Sequence, residues 1–342
     1  RFFSAERFYT ELMKIPEKIG QIIGAGQDFL ILAHNHPDGD AVGSVSALGR
    51  GLKSLGKHVD YYMDPEIEDK LGFIDEIELF KHDASQLAPK YDAVIYVDCS
   101  TKDYAYAPEQ MPECANTIVV DHHKSNEGYG DENFVEITGA AGELVYLLLK
   151  DLGAEIDDDT KDALFTALSS DTGSFQFSNV TSQTHRIAAA LHENDKIFSP
   201  ISKRLHSEKS YAQMKMYGEA VHSLELHDDG QVAFIELPYN VIRKWGGALN
   251  ITDDVSNIGM SVIPVIVSAL AKETEPDVWR ISLRSKSPYD IDVSEVSLEY
   301  GGGGHQRAAG CTFEGTEQEM RDALIPRLER LVAEAGEDIC ES

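Results

Sequence analysis

Asn116-Thr-Ile-Val-Val-Asp121-His122-His123 is an apolar, β-branched run that stops abruptly on a carboxylate and two imidazoles. Two earlier stretches end in the same way: Leu30-Ile-Leu-Ala-His34, continued by Asn-His-Pro-Asp38-Gly-Asp40, and Ala93-Val-Ile-Tyr-Val-Asp98. Short runs of this kind read as neighbouring strands buried on both faces of a parallel sheet. Such sheets bind ligands at their carboxyl edge, which is where each run delivers its Asp or His. Asp171, in Leu168-Ser-Ser-Asp-Thr-Gly-Ser174, follows a helix-like stretch and is a fourth candidate for that edge. Carboxylates and imidazoles without a thiolate suit Mn²⁺ or a similar divalent ion rather than structural zinc.

Outward from these runs the chain alternates strand and helix. The spacing predicts a helix from Glu6 to about Ile23, a strand over Phe29–Ala33, a helix over Ala41–Leu55 closed by Gly56, and a strand over His58–Met63. Further helices are expected over Glu143–Leu152, Asp159–Leu168 and Thr184–Glu193. This order predicts an α/β fold with a doubly wound, mainly parallel sheet. The stretch from Asp195 to about Ala220 is polar, carries Pro200 and reads as a helical connector rather than core. Beyond it, Gln231–Leu237, Ser261–Ala271 and Val278–Ser285 are strand-like and Thr316–Ala335 is an amphipathic helix, which predicts a smaller α/β domain. The expected limits are 1–194 for the first domain, 195–220 for the connector and 221–342 for the second.

Bulk properties narrow the function. At 342 residues two cores are the natural expectation. A net charge of -29 disfavours a protein that grips long nucleic acid through its whole surface. Small anionic substrates stay open, because metal ions and a few cations can reverse the field at one site. Cys99, Cys114, Cys311 and Cys340 are scattered, with no Cys-x-x-Cys pair, and read as reduced thiols of a cytoplasmic protein. No run reaches the ~20 apolar residues of a membrane span, and the start lacks a signal-peptide core, so no membrane partner is expected.

In His34-Asn-His-Pro-Asp-Gly-Asp40, Pro37 and Gly39 prevent a regular helix and let His34, Asp38 and Asp40 converge. Helix capping by Asp38 or Asp40 is an equally good reading of that string alone. Two more strand ends carrying Asp98 and Asp121-His122-His123 weigh against it, since so many ionisable groups are costly to bury without a metal. The ligands are numerous enough for two ions, which can jointly activate water for attack on phosphorus. Near the C-terminus, Tyr300-Gly301-Gly302-Gly303-Gly304-His305 could turn backbone N–H groups toward an anion, with a helix beginning at about His305. In Arg280-Ile-Ser-Leu-Arg-Ser285 the apolar residues share one face, leaving Arg280, Ser282 and Arg284 on the other, where Arg284 could lie beside the glycine loop as a bidentate phosphate partner.

Taken in order, these segments resemble the DHH phosphoesterase superfamily, in the branch with a DHH-associated C-terminal domain, and most closely its oligoribonuclease and pAp-phosphatase (nanoRNase) group. The carrying motifs are His34 to Ser44, Val97-Asp98, Asp121-His-His123, Ser170-Asp-Thr-Gly-Ser-Phe175, Ser282-Leu-Arg-Ser285 and Gly301-Gly-Gly-Gly-His305. The resemblance implies one Mn²⁺ on His34, Asp38 and Asp98, and a second on Asp40, Asp98, His122 and Asp171, with Mg²⁺ or Co²⁺ as substitutes. It implies that Asp98 bridges, that Asp98, Asp121 and His123 serve catalysis with His123 near the scissile phosphate, and that Arg284, Ser285, Gly302, Gly303, Gly304 and His305 hold substrate. The active site would lie in the cleft between two lobes, and a homodimer is carried as an expectation. Thr138-Gly-Ala-Ala-Gly-Glu143 departs from the family in lacking a Ser-Thr pair before the acidic residue. His36 occupies a position that is not usually a ligand.

The implied activity is metal-dependent hydrolysis of short oligoribonucleotides or dinucleotides to mononucleotides, and of pAp to AMP. A cyclic di-AMP or pApA phosphodiesterase is the alternative among enzymes, and a non-catalytic nucleotide sensor the alternative outside them. A processive single-strand exonuclease would need a longer basic track than this chain offers.

Overall fold

The structure is a computed structural model and describes residues 15–245, 255–286 and 289–340, the last five of these as backbone only. The chain divides into two compact units, the first ending at Glu208 and the second beginning at Lys209. The part of the expected first helix that precedes residue 15 lies outside the described residues.

In the first unit, helix α1 (Glu17–Ala25) leads into β1 (Asp28–Leu32), α2 (Gly39–Ser54), β2 (His58–Tyr62) and β3 (Phe80–Lys81). Then come β4 (Lys90–Val97), β5 (Glu113–Asp121), β6 (Glu132–Val135), α3 (Ala141–Leu152), α4 (Asp158–Asp171), α5 (Ser182–Leu191) and α6 (Ser199–His206). The strands form one parallel sheet in the order β3-β2-β1-β4-β5-β6. The order reverses between β1 and β4, the place where open sheets of this kind bind ligands.

Alternation explains why these strands are apolar throughout. Phe29 and Ile31, Ile95 and Val97, and Ile118 and Val120 bury against the helices, in a core that takes residues from α1 to α6. Leu30 and Leu32, Val94 and Tyr96, and Val119 point the other way. That second face is covered by connecting segments such as Leu87, Ala105, Tyr106, Met111 and Tyr129.

The stretch read as a connector is not outside the core. Phe198, Ile201 and Leu205 of the α6 region join the first core, with Phe198 stacked on Phe165 at 4.2 Å between centroids. Met216 and Ala220 of α7 (Tyr211–Ser223) are fully buried in the second unit. The composition there is polar on average, and a few well-spaced apolar residues were enough to anchor each helix.

In the second unit, α7 is followed by β7 (Glu225–His227), β8 (Val232–Leu237), α8 (Tyr239–Lys244), β9 (Val267–Glu275) and β10 (Val278–Ser285). Helix α9 (Val293–Glu299), β11 (Gly303–His305), β12 (Ala308–Glu314) and α10 (Glu317–Cys340) complete it. The sheet order is β11-β12-β10-β9-β8-β7, antiparallel except for β8 with β9. The strand expected from Ser261 starts only at Val267, because Gly259–Ser261 forms a 3₁₀ turn.

Arg50 on α2 staples the first unit, donating to buried Glu76 at 2.7 Å and to Asp157 and Asp159 at 2.6 and 2.7 Å. Arg50→Ala would strand the Glu76 carboxylate in the core, at a cost of about 3 kcal/mol. The exposed partners Asp157 and Asp159 add little. Urea denaturation should show a lower midpoint with an unchanged slope, and an unshifted midpoint would refute this.

Candidate metal centre

Three strand ends meet at the switch point. Asp98 follows β4 directly, and its backbone takes φ of 53°, a left-handed value unusual for a residue other than glycine. Its N–H donates to the Val120 carbonyl at 3.0 Å, tying the turn to β5. The residue is 2% exposed, and Oδ1 has no hydrogen-bond donor. A buried carboxylate oxygen left without a donor is a group that expects a cation.

His34, past the end of β1, brings Nε2 to 3.8 Å from Asp98 Oδ2 and 4.0 Å from Asp38 Oδ1. His122 Nε2 stands 3.4 Å from Asp98 Oδ1, 3.7 Å from Asp40 Oδ2 and 3.6 Å from Asp171 Oδ2. These residues form two ligand groups, His34 with Asp38 and Asp98, and Asp40 with His122 and Asp171. A third, Asp98 with His122 and His123, links them, sharing Asp98 with the first and His122 with the second. His34 Nδ1 donates to the Asn35 carbonyl at 2.7 Å and His122 Nδ1 to the Thr138 carbonyl at 3.2 Å. A carbonyl can only accept, so both rings carry a proton on Nδ1, which leaves Nε2 facing the site as the atom that a metal would take once it is free of its proton. The donor set is therefore preformed for divalent ions.

Neighbouring groups hold the carboxylates. Asp38 caps α2, accepting from the N–H groups of Asp40 and Ala41 at 2.9 and 3.1 Å, so capping and membership of the ligand group are both realised. Asp40 accepts from the N–H groups of Ala141 and Gly142 at 2.6 and 3.0 Å, and from Ser44 Oγ at 2.8 Å. The first turn of α3 thus carries part of its charge. Asp171 is the last residue of α4 rather than a residue beyond it, and Asn179 Nδ2 donates to its carbonyl at 3.0 Å. The chain then runs through Gly173, Ser174 and Phe175 with φ of 54°, 55° and 64°, a left-handed turn that ends the helix at this point. Glu143, in the segment that departs from the family, is buried and accepts from Thr184 Oγ1 at 2.6 Å.

Without cations the site is electrostatically crowded. Burial and the charge of Asp98 raise the Asp40 pKa well above the ordinary carboxylate range. Burial, with Asp98 and Asp38, pushes Asp171 up to about 6 against the opposing pull of His122. Burial works against charge on His122, yet the adjacent Asp98 carboxylate and the field of Asp40 and Asp171 lift it to about 10.

Asp121 joins none of the ligand groups. It is fully buried, accepting from His123 Nδ1 at 2.8 Å and from Asn126 Nδ2 at 2.7 Å. Its burial would raise the carboxyl pKa, but these bonds outweigh it and hold it low, while Asp121 in turn raises that of His123. Asp121 positions His123, whose ring is 44% exposed with Nδ1 3.6 Å from Asp98 Oδ1. His36 is exposed and pairs with Glu66 at 3.0 Å, away from the ligand groups.

The glycine run of the second unit does not start a helix. Gly303–His305 is strand β11, folded back on β12. Gly302 packs where a side chain would meet the Gly310 carbonyl, and Gly304 takes φ of +144° against Ala309. Close strand approach is therefore what these glycines permit. Arg284 and His305 are both registered against Ala308, so their side chains leave the same face, about 10 Å apart across two strand spacings. Trp279, Ile281 and Leu283 bury on the opposite face. Ser285 is buried, its hydroxyl donating to the Ile291 carbonyl at 3.0 Å.

The DHH family N-terminal domain matches residues 28–168, and the DHHA1 domain matches residues 243–334. The chain belongs to the DHH phosphoesterases that combine these two domains, hydrolases of phosphoester bonds. It is 27% identical to the bifunctional oligoribonuclease and PAP phosphatase NrnA of Thermus thermophilus, over 91% of each chain. It is 24% identical to the protein of the same name from Bacillus subtilis, over 89% of this chain and 95% of that one. Among solved structures, an exopolyphosphatase-related protein from Bacteroides fragilis shares the fold with a TM-score of 0.82 and 21% identity, covering 94% of this chain and 97% of that one. Among the described residues, no helix is long and apolar enough to cross a membrane.

Proposed function

We propose that this protein is a two-metal phosphohydrolase that cleaves dinucleotides and short oligoribonucleotides to mononucleotides and also converts pAp to AMP. The observation that carries the reading is the placement of Asp98, with one carboxylate oxygen toward His34 and the other toward His122. Two bound Mn²⁺ ions would activate water and neutralise charge building on the phosphoryl oxygens. His34, Asp38 and Asp98 would hold one ion, and Asp40, Asp98, His122 and Asp171 the other. His123, kept in orientation by Asp121, is the side chain free to hydrogen-bond the scissile phosphate or to give a proton to the leaving oxygen. The substrate named for the two NrnA relatives supports the nucleotide class.

In this reading residues 1–194 carry the metal chemistry and residues 221–342 hold the substrate, with 195–220 between them. Arg284 and His305 bind the phosphate distal to the reacting one. Ser285 contributes through the shape of its strand, since its hydroxyl is already engaged. The strong negative charge favours short substrates over long ones.

The test is a panel of pAp, pApA, pGpG, cyclic di-AMP and RNA of roughly two to ten nucleotides, a range set by the size of ordinary binding sites. With Mn²⁺ and with Mg²⁺, nucleotide release should be fastest on the shortest chains and fall steeply with length. Equal rates on long RNA and on a dinucleotide would refute the length selection, and cleavage of cyclic di-AMP alone would favour the phosphodiesterase reading.

Arg284→Ala removes a charge-assisted phosphate contact of about 1.5–3 kcal/mol, or roughly tenfold to over a hundredfold in kcat/KM on pAp and pApA. Bis-p-nitrophenyl phosphate, which has no distal phosphate, should lose much less. Equal loss on both substrate types would remove Arg284 from this role.

A further inference from the structure

We infer that Tyr104 is a stacking platform for the base of the nucleotide whose phosphate engages the metal centre, an inference that rests on the nucleotide-cleaving reading above. Its ring lies nearly parallel to that of His34, 10° between planes and 5.5 Å between centroids. One face is therefore spent on His34, yet the residue remains 49% exposed. Singly exposed aromatics are ordinary, as Phe177 at 60% and Tyr211 at 73% show; what sets Tyr104 apart is that its open ring stacks on a residue of the metal-ligand groups.

The platform is also rigid, which a recognition surface needs if it is to bind without ordering costs. The Tyr104 carbonyl accepts from the backbone N–H of Asn35 at 3.0 Å and from Asn35 Nδ2 at 2.9 Å. Ala105 forms an isolated antiparallel bridge with His34, and the Tyr106 N–H donates to the Ala33 carbonyl at 2.9 Å. Tyr106 continues into a stack on Tyr62 at 5.2 Å, and Ala105 is buried in the core of the sheet's second face. The 3₁₀ turn Lys102–Tyr104 is thus sewn to the segment that supplies His34, so the backbone that carries the ring is held beside the ligand groups.

The occupant follows from position and chemistry. A phosphate reacting beside His34 and Asp98 has its nucleoside only one ester linkage away, and a nucleobase offers a flat π-face to a tyrosine whatever its sequence. Stacking of this kind would let the site accept every base while preferring purines, whose rings cover more of the tyrosine.

The test compares a diribonucleotide with the same phosphodiester lacking the base on one nucleotide, each possible abasic isomer included. In Tyr104→Leu the preference in KM for the base-bearing substrate over at least one abasic isomer should collapse by about tenfold. Tyr104→Trp should keep that preference, and Mn²⁺ affinity measured by calorimetry should be alike in both variants and the unaltered protein. An unchanged preference in Tyr104→Leu would overturn the proposal. So would weakened Mn²⁺ binding with equal loss on all substrates, which would make the ring a mere support for His34. If the unaltered protein with Mn²⁺ cleaved no diribonucleotide, the nucleotide reading itself would fall and take this inference with it.

Discussion

Asp98→Ala is expected to abolish turnover, by at least roughly a thousandfold, because several kcal/mol of charge stabilisation at phosphorus depends on ions that this carboxylate would share. Both ligand groups adjoin it: His34 at one oxygen, His122 and His123 at the other. Mn²⁺ affinity should fall at both sites together. Asp98 sits at φ of 53°, so alanine also strains the backbone. Asp98→Asn is the cleaner variant, since asparagine tolerates the left-handed region while losing the charge. The two variants should be comparably inactive, and retention of two tightly bound ions in Asp98→Asn would contradict the shared role.

Removing metal should destabilise the first unit in a pH-dependent way. The sign follows from protons bound by the folded and unfolded chains. Asp171 is raised to about 6 in the folded state, so metal-free protein loses stability as pH climbs from the ordinary carboxylate range through 6. His122, raised to about 10, stabilises fully below its ordinary value near 6.5 and loses that contribution as pH climbs toward 10. Both effects weaken the metal-free protein at alkaline pH, where ligands are deprotonated and cations bind best. At a hundredfold excess over Kd each bound ion contributes about 2.7 kcal/mol, or roughly 5–10 °C in Tm. Thermal scans of chelator-treated protein with and without Mn²⁺ should show a much larger shift at pH 8 than at pH 5. An equal or larger shift at pH 5 would mean that these groups are not the ligands.

What could be read from the sequence, and what could not, divides by range. The apolar runs that end on His34, Asp98 and Asp121 are local signals, and they led directly to the parallel sheet and to the residues at its edge. The grip on Asp40 by the N–H groups of Ala141 and Gly142 spans 101 residues of chain, and no local pattern announces it. Asp121 looked like a member of the reacting group because it sits in the same motif as His122 and His123. In the structure it is buried against the His123 ring and outside the ligand groups, while His122 comes close to Asp40 and Asp171. Gly301 to Gly304 read as an anion-facing loop before a helix at about His305, but Gly303 to His305 pair with Ala308 to Gly310 as a hairpin, a long-range choice that glycine's permissive backbone does not announce. Phe198 and Met216 were lost in a polar average, although each fills a core. Tyr104 carried no motif at all, and only its stack on His34 marks it.

The most direct measurement strips the protein of metal and titrates Mn²⁺ back, following bound ions per chain and mononucleotide release from a diribonucleotide in the same samples. The account predicts no release without metal, and release that rises with Mn²⁺ and saturates at two ions per chain. Hydrolysis that persists in the metal-free protein, or full activity at a single ion per chain, would contradict it.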